Sequence, residues 1–109
     1  MANAYKVLGQ EDDASAGNVT LYTVPASTET IVSTIAVVNR EAAENTFRIA
    51  IRPDGATIDN KHYINFDTPI AANDSIYLTL GITLDASDVV AVTGSDGNVG
   101  FSIFGTEIS

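Results

Sequence analysis

The chain contains no cysteine. That excludes a disulfide framework and thiolate metal ligands, and leaves apolar burial and backbone hydrogen bonds to hold the fold. Cations are scarce as well: five Lys and Arg stand against fourteen Asp and Glu, for a formal charge of −9. Nucleic acid and anionic membranes are bound through cations that neutralise phosphate, so neither is an expected partner. No run approaches the ~20 apolar residues that cross a bilayer. The start Met1 to Lys6 also lacks the apolar core of a secretion signal, and a cytosolic product is expected. Charged residues make up only 17% of the sequence against 45% hydrophobic, where about a quarter charged is usual. Some of the apolar surface is therefore expected to face another subunit.

Long helical periodicity is also missing, and what fills the chain is a series of short runs rich in Val, Ile, Thr and aromatics. In Thr46 to Pro53, Phe47, Ile49 and Ile51 point one way and Arg48 and Arg52 the other, the pattern of a strand with one dry face. Similar strands are predicted at Tyr5 to Leu8, Val19 to Val24 (closed by Pro25), Thr30 to Asn39, His62 to Phe66, Ser75 to Leu80, Val89 to Thr93 and Val99 to Phe104, with a brief edge segment at Ile70. Both faces of Thr30 to Asn39 are apolar or small, which predicts a strand covered on two sides and deepest in burial. In Ser75 to Leu80, Ile76, Leu78 and Leu80 share one face opposite Tyr77 and Thr79.

Glu11 to Asn18 reads as a loop, Arg40 to Asn45 as a six-residue link, Pro53-Asp54-Gly55 as a tight turn, and the last two runs as a hairpin. Seven to eight strands at spacings of about 8–12 residues describe one all-β domain over residues 1–109. The expected fold is an antiparallel β-sandwich, Ig-like or jelly-roll-like, with residues 1–10 as an N-terminal arm or edge strand.

No residue cluster announces chemistry. His62 is the only histidine, no acid or nucleophile is placed beside it in sequence, and it reads as a surface or interface residue. Gly94-Ser95-Asp96-Gly97 has the wrong spacing for a nucleophile elbow. Glu11-Asp12-Asp13 and the pair Asp85 and Asp88 offer carboxylates that suit Ca²⁺, but neither has the EF-hand pattern, and a solvated acidic loop is the better reading. Asn18-Val19-Thr20 and Asn73-Asp74-Ser75 match the glycosylation sequon, which means little without a secretory route. No catalytic residue, metal ligand or cofactor is expected.

Interface candidates stand out better. Tyr5, Val7 and Leu8 at the start, and Phe104 and Ile108 at the end, carry apolar side chains on short terminal strands that can add to a neighbour's sheet edge. Tyr77 lies opposite the Ile76 and Leu78 face and is expected to be exposed unless a partner covers it. A carbohydrate- or receptor-binding module is the competing reading, with Tyr22, Tyr63 or Tyr77 stacking on sugar rings.

The order of segments Tyr5-Lys6-Val7-Leu8-Gly9-Gln10, Leu21-Tyr22-Thr23-Val24-Pro25, Val37-Val38-Asn39-Arg40, Thr46 to Gly55, Asn60 to Ile64, Ala71 to Ser75 and Phe101 to Gly105 resembles small virion structural proteins and fibre-linked modules of tailed bacteriophages. The resemblance covers nearly the whole chain, and its phrases belong to fold and turns rather than to a catalytic site. It implies a virion protein made in the cytoplasm of an infected bacterium. One placement is a capsid decoration (cement) protein, a homo-oligomer, commonly a trimer, that clamps the major capsid protein. The other is a tail, baseplate or fibre-associated adaptor. Coiled-coil heptads and collagen-like repeats are absent, which disfavours a long fibre and leans the reading to decoration.

Overall fold

The computed structural model describes residues 3–109, the side chain of Leu80 excepted. It contains eight strands: β1 (Asn3–Glu11), β2 (Val19–Thr23), β3 (Glu29–Asn39), β4 (Asn45–Arg52), β5 (Tyr63–Ile70), β6 (Ser75–Leu84), β7 (Val89–Gly94) and β8 (Val99–Ile108). Short 3-10 turns at Pro53–Gly55 and Asn60–His62 lie between β4 and β5. The strands form two antiparallel four-stranded sheets, ordered β1-β8-β3-β6 and β2-β7-β4-β5. We call them sheets A and B.

The pairs β1–β8, β2–β7, β3–β6 and β4–β5 are those of one long two-stranded ribbon whose halves are residues 3–52 and 63–108. Winding the ribbon into two layers adds the pairs β3–β8 and β4–β7 and produces the jelly-roll order. The architecture is thus an all-β sandwich of the jelly-roll kind rather than the Ig kind. The expected hairpin of the last two runs does not form: β7 lies in sheet B and β8 in sheet A, so Ser95 to Asn98 crosses between layers. A short connection favours a hairpin locally, but here both strands are already claimed by partners distant in sequence.

Val32, Ile35 and Val37 of β3 and Phe101 and Ile103 of β8 face Phe47 and Ile49 of β4 and Val90 and Val92 of β7 across a dry interior. Phe47 and Phe101 meet edge to face with ring centroids 6.2 Å apart, joining the two sheets. Strand β3 sits centrally in sheet A but is covered on one side only, since Ile31 and Val38 face outward and remain exposed. The deepest burial belongs to β7, where Val90, Ala91 and Val92 are all fully buried.

The strands outrun their predicted ends at glycines. β6 continues through Gly81 to Leu84 and β8 through Gly105 to Ile108. Gly105 is needed there, because a Cβ would strike the Ile31 carbonyl where β3 departs from regular register. His62 to Phe66 and the Ile70 segment prove to be parts of one strand, β5, whose pairing with β4 shifts register twice. The expected N-terminal arm is edge strand β1, paired along its length with β8; Met1 and Ala2 fall outside the described residues.

Polar bridges close the sandwich at both ends, each anchored on β3. At the Asn39 end, the fully buried Asn39 Nδ2 donates to the carbonyls of Ala43 (2.8 Å), Ala71 (3.1 Å) and Ile70 (3.3 Å). Its Oδ1 accepts from the Glu41 N–H (3.1 Å) and from Asn45 Nδ2 (3.0 Å), while Ser95 Oγ donates to Asn45 Oδ1 (2.8 Å). One amide thus organises the Arg40–Glu44 link and ties sheet A to sheet B.

At the Thr30 end, the Tyr22 hydroxyl of sheet B donates to Glu107 Oε2 (2.6 Å) and lies 2.8 Å from Thr30 Oγ1, both of sheet A. Glu107 Oε1 is 2.7 Å from Lys6 Nζ on β1. Burial and then the Glu107 hydrogen bond push the Tyr22 hydroxyl up to about 12. Bonds from Lys6 and Tyr22 hold the Glu107 carboxyl below its ordinary range.

Candidate functional site

Strand alternation decides what each sheet shows to solvent. On the outer side of sheet A, an end row of Asn3, Ile108 and Glu29 is followed by four further cross-strand rows. Tyr5, Thr106, Ile31 and Thr83 form the first, and Val7, Phe104, Thr34 and Thr79 the second. Gln10, Ser102, Ala36 and Tyr77 form the third, and Gly100, Val38 and Ser75 the last. None of these four carries a charge. Of the charges within β1 and β8, Lys6 and Glu107 are turned to the other side and bonded to each other, and Glu11 ends β1 opposite Phe101. The nearest charges to this face are at its corners, where Glu29 stands beside Ile108 and Arg40 lies over Gly100.

Five of the six interface candidates meet on this face. Tyr5 is 80% exposed, Tyr77 68% and Val7 50%, while Phe104 and Ile108 are half-buried by their neighbours. Leu8 departs from the group: it sits at the register shift between Val7 and Gly9 and packs, half-buried, against the core. Ile31 and Val38 extend the same face and were missed in the sequence, because a strand apolar on both sides reads as doubly covered.

The outer side of sheet B is built differently. Arg48 donates to Asp67 through Nε (2.7 Å to Oδ1) and Nη2 (3.2 Å to Oδ2). Its guanidinium stacks 3.9 Å from the Phe66 ring centroid. The bond to Arg48 holds the Asp67 carboxyl below its ordinary range, and the reciprocal bond raises Arg48. Tyr63 meets Phe66 edge to face, and its hydroxyl donates to Asn18 Oδ1 at 3.3 Å. That reach, from β5 to the residue before β2, carries the ring over Ala50 and Ala91, which are fully buried on the outer side of their sheet. Ile64 and Phe66 of β5 stay exposed.

Other sequence candidates are occupied in turns. Asp13 Oδ1 accepts from the Ser15 N–H and hydroxyl, which holds its carboxyl below the usual range. Asp88 accepts the N–H groups of Asp54 and Asp85. Among the described residues, no three His, Asp or Glu side chains gather in a way that could hold a metal ion. His62, expected at the surface, is buried: its Nδ1 accepts the Asp59 N–H at 3.0 Å and caps a 3-10 turn, a role set by a loop whose course the sequence did not reveal. Tyr22 is likewise buried with its hydroxyl engaged, so it presents no ring for a sugar.

Compared with known proteins, the chain matches no family model and no curated sequence.

Proposed function

We propose that this chain is a virion structural protein of a tailed bacteriophage, a decoration protein that binds the assembled capsid as a homo-oligomer and acts by adhesion without turnover. The observation that carries the reading is the uncharged outer face of sheet A. A molecule of net charge −9 repels its own copies and other acidic surfaces, and this face removes that obstacle while offering Tyr5, Val7, Tyr77, Phe104 and Ile108 for burial. Each apolar contact contributes ~25 cal/mol per Å² removed from water. Many copies on a repetitive shell multiply modest contacts through avidity. The resemblance of the strand and turn segments to phage structural proteins supports the same reading. The partners are then further copies of the chain and the major capsid protein, and the location is the virion.

Immunogold microscopy of the phage that encodes the chain tests the placement. Label over the head shell is the expected result, label at the tail would replace decoration with an adaptor role, and unlabelled particles would refute both. In a binding assay on heads lacking the protein, Val7→Glu is expected to lower affinity by about tenfold, ~1.4 kcal/mol. An unchanged affinity would show that the face is not the contact.

A further inference from the structure

The four edge strands differ in how they are protected against pairing with another chain. In sheet B, β2 has five residues followed by Pro25, and β5 carries Pro69, Asp67 in the left-handed region (φ 49°) and two register shifts. In sheet A, β1 carries Lys6 and a register shift at Leu8. The remaining edge, β6, runs for ten residues as Ser-Ile-Tyr-Leu-Thr-Leu-Gly-Ile-Thr-Leu, with no proline and no charge. It is the longest of the four edges and has neither proline nor charge, its one irregularity being a register shift against β3 between Thr79 and Ile82.

We propose that β6 pairs antiparallel with β6 of a second copy, joining two A sheets into one sheet of eight strands across a twofold axis near Thr79. The occupant follows from charge and from symmetry. Two molecules of charge −9 must meet where their carboxylates are not, and Ser75–Leu84 is an uncharged strip. A twofold through Thr79 makes the strip its own complement. It sets Tyr77 of one copy opposite Gly81 of the other on the outer side, and Ile76 opposite Ile82 on the inner side. Tyr77 is 68% exposed, and there is open space where a Gly81 Cβ would be, so the ring has room to cover the partner's glycine. Half-buried Ile76 and Ile82 pack against the core and extend it across the seam.

The strip is roughly 34 Å long and about 10 Å thick. That is a few hundred Å², below the ~800 Å² per partner of a standard stable interface. The dimer is therefore weak, concentration-dependent and best trapped covalently. This contact uses the edge of sheet A and does not rest on where in a virion the protein sits.

The absence of native cysteine makes the trap clean. Thr79→Cys places one thiol per chain at the twofold, and Tyr5→Cys places one on the same face at the opposite edge. Under mild oxidation at high protein concentration, Thr79→Cys is expected to give a disulfide-linked species of twice the 11.4 kDa chain mass, at least tenfold faster than Tyr5→Cys. Equal rates, or no cross-link, would overturn the proposal. Amide hydrogen exchange on the unmodified chain is the second measurement. Amides of Ser75–Leu84 should slow as concentration rises while those of β1 do not, and exchange independent of concentration would overturn the pairing even if a variant misfolded.

Discussion

The two outer faces of the sandwich solve opposite problems. Sheet B finishes the middle of its outer side internally and, of its large apolar side chains, leaves only Ile64 and Phe66 of its edge strand exposed: Tyr63 lies over Ala50 and Ala91, and Arg48 is held between Phe66 and Asp67. Sheet A leaves Tyr5, Val7, Ile31, Val38 and Tyr77 without a covering side chain, and turns Lys6 and Glu107 away from them. A residue that completes the fold and one that awaits a partner can have the same chemistry. Tyr63 and Tyr77 are both tyrosines on outer faces of edge strands, yet one is half-buried and bonded and the other is 68% exposed. Exposure of an aromatic ring carries meaning only against what its neighbours do with theirs.

The comparison presumes that the sheets hold as one unit, and the strongest way to break it is at Asn39. Replacing Asn39 with Leu leaves the Ala43, Ile70 and Ala71 carbonyls and the Glu41 N–H without the partner that now joins the layers. Orphaned buried polar groups cost about 1–3 kcal/mol each, so a loss of at least ~3 kcal/mol is expected in denaturant unfolding. A loss below ~1 kcal/mol would show that water replaces the amide and that the bridge is not what holds this end.

A direct contrast of the faces comes next in size. Tyr63→Ala removes the cover from Ala50 and Ala91 and one wall of the Arg48 stack, and should lower stability by about 1–2 kcal/mol, or Tm by ~5–10 °C. Tyr77→Ala should leave monomer stability within ~0.5 kcal/mol and act on association instead. Equal thermal shifts for the two would erase the distinction between a finished face and an open one.

Much of this was legible in the sequence, for reasons tied to period. Alternation in Thr46 to Arg52 located β4, and the same two-residue period put Tyr77 on the side away from Ile76 and Leu78 before the sheets were known. Where the reading failed, the deciding contact was remote. Nothing local in Asn39 or His62 distinguishes a surface residue from the hub of a loop, because their partners come from other segments of the chain. The hairpin of β7 and β8 failed for the same reason: every strand in this wrap except those of the β4–β5 pair is bonded only to strands distant in sequence. Gly81 and Gly105 read as strand ends because glycine usually interrupts a ladder, whereas here Gly105 lets strands approach closely.

The smallest expected effect sharpens the account of how sheet A keeps its outer face uncharged. Lys6 and Glu107 spend their charges on each other and on Tyr22. Glu107 has a depressed carboxyl in the folded chain, so its contribution is complete above the ordinary carboxylate range, ~4.3, and is lost as pH falls through the depressed value. Tyr22 has the opposite sign: raised to about 12, it contributes fully below the ordinary phenol value of ~10 and loses that contribution as pH climbs through its folded value. Glu107→Gln keeps an acceptor for Tyr22 but ends the ion pair, and because Lys6 is half exposed the cost at neutral pH should stay under ~1 kcal/mol. The variant and the parent should converge in Tm as the pH is lowered through the depressed Glu107 value, since protonation removes the same interaction. If the difference persists undiminished in acid, Glu107 stabilises the corner by packing, and the pairing with Lys6 is incidental to the uncharged face.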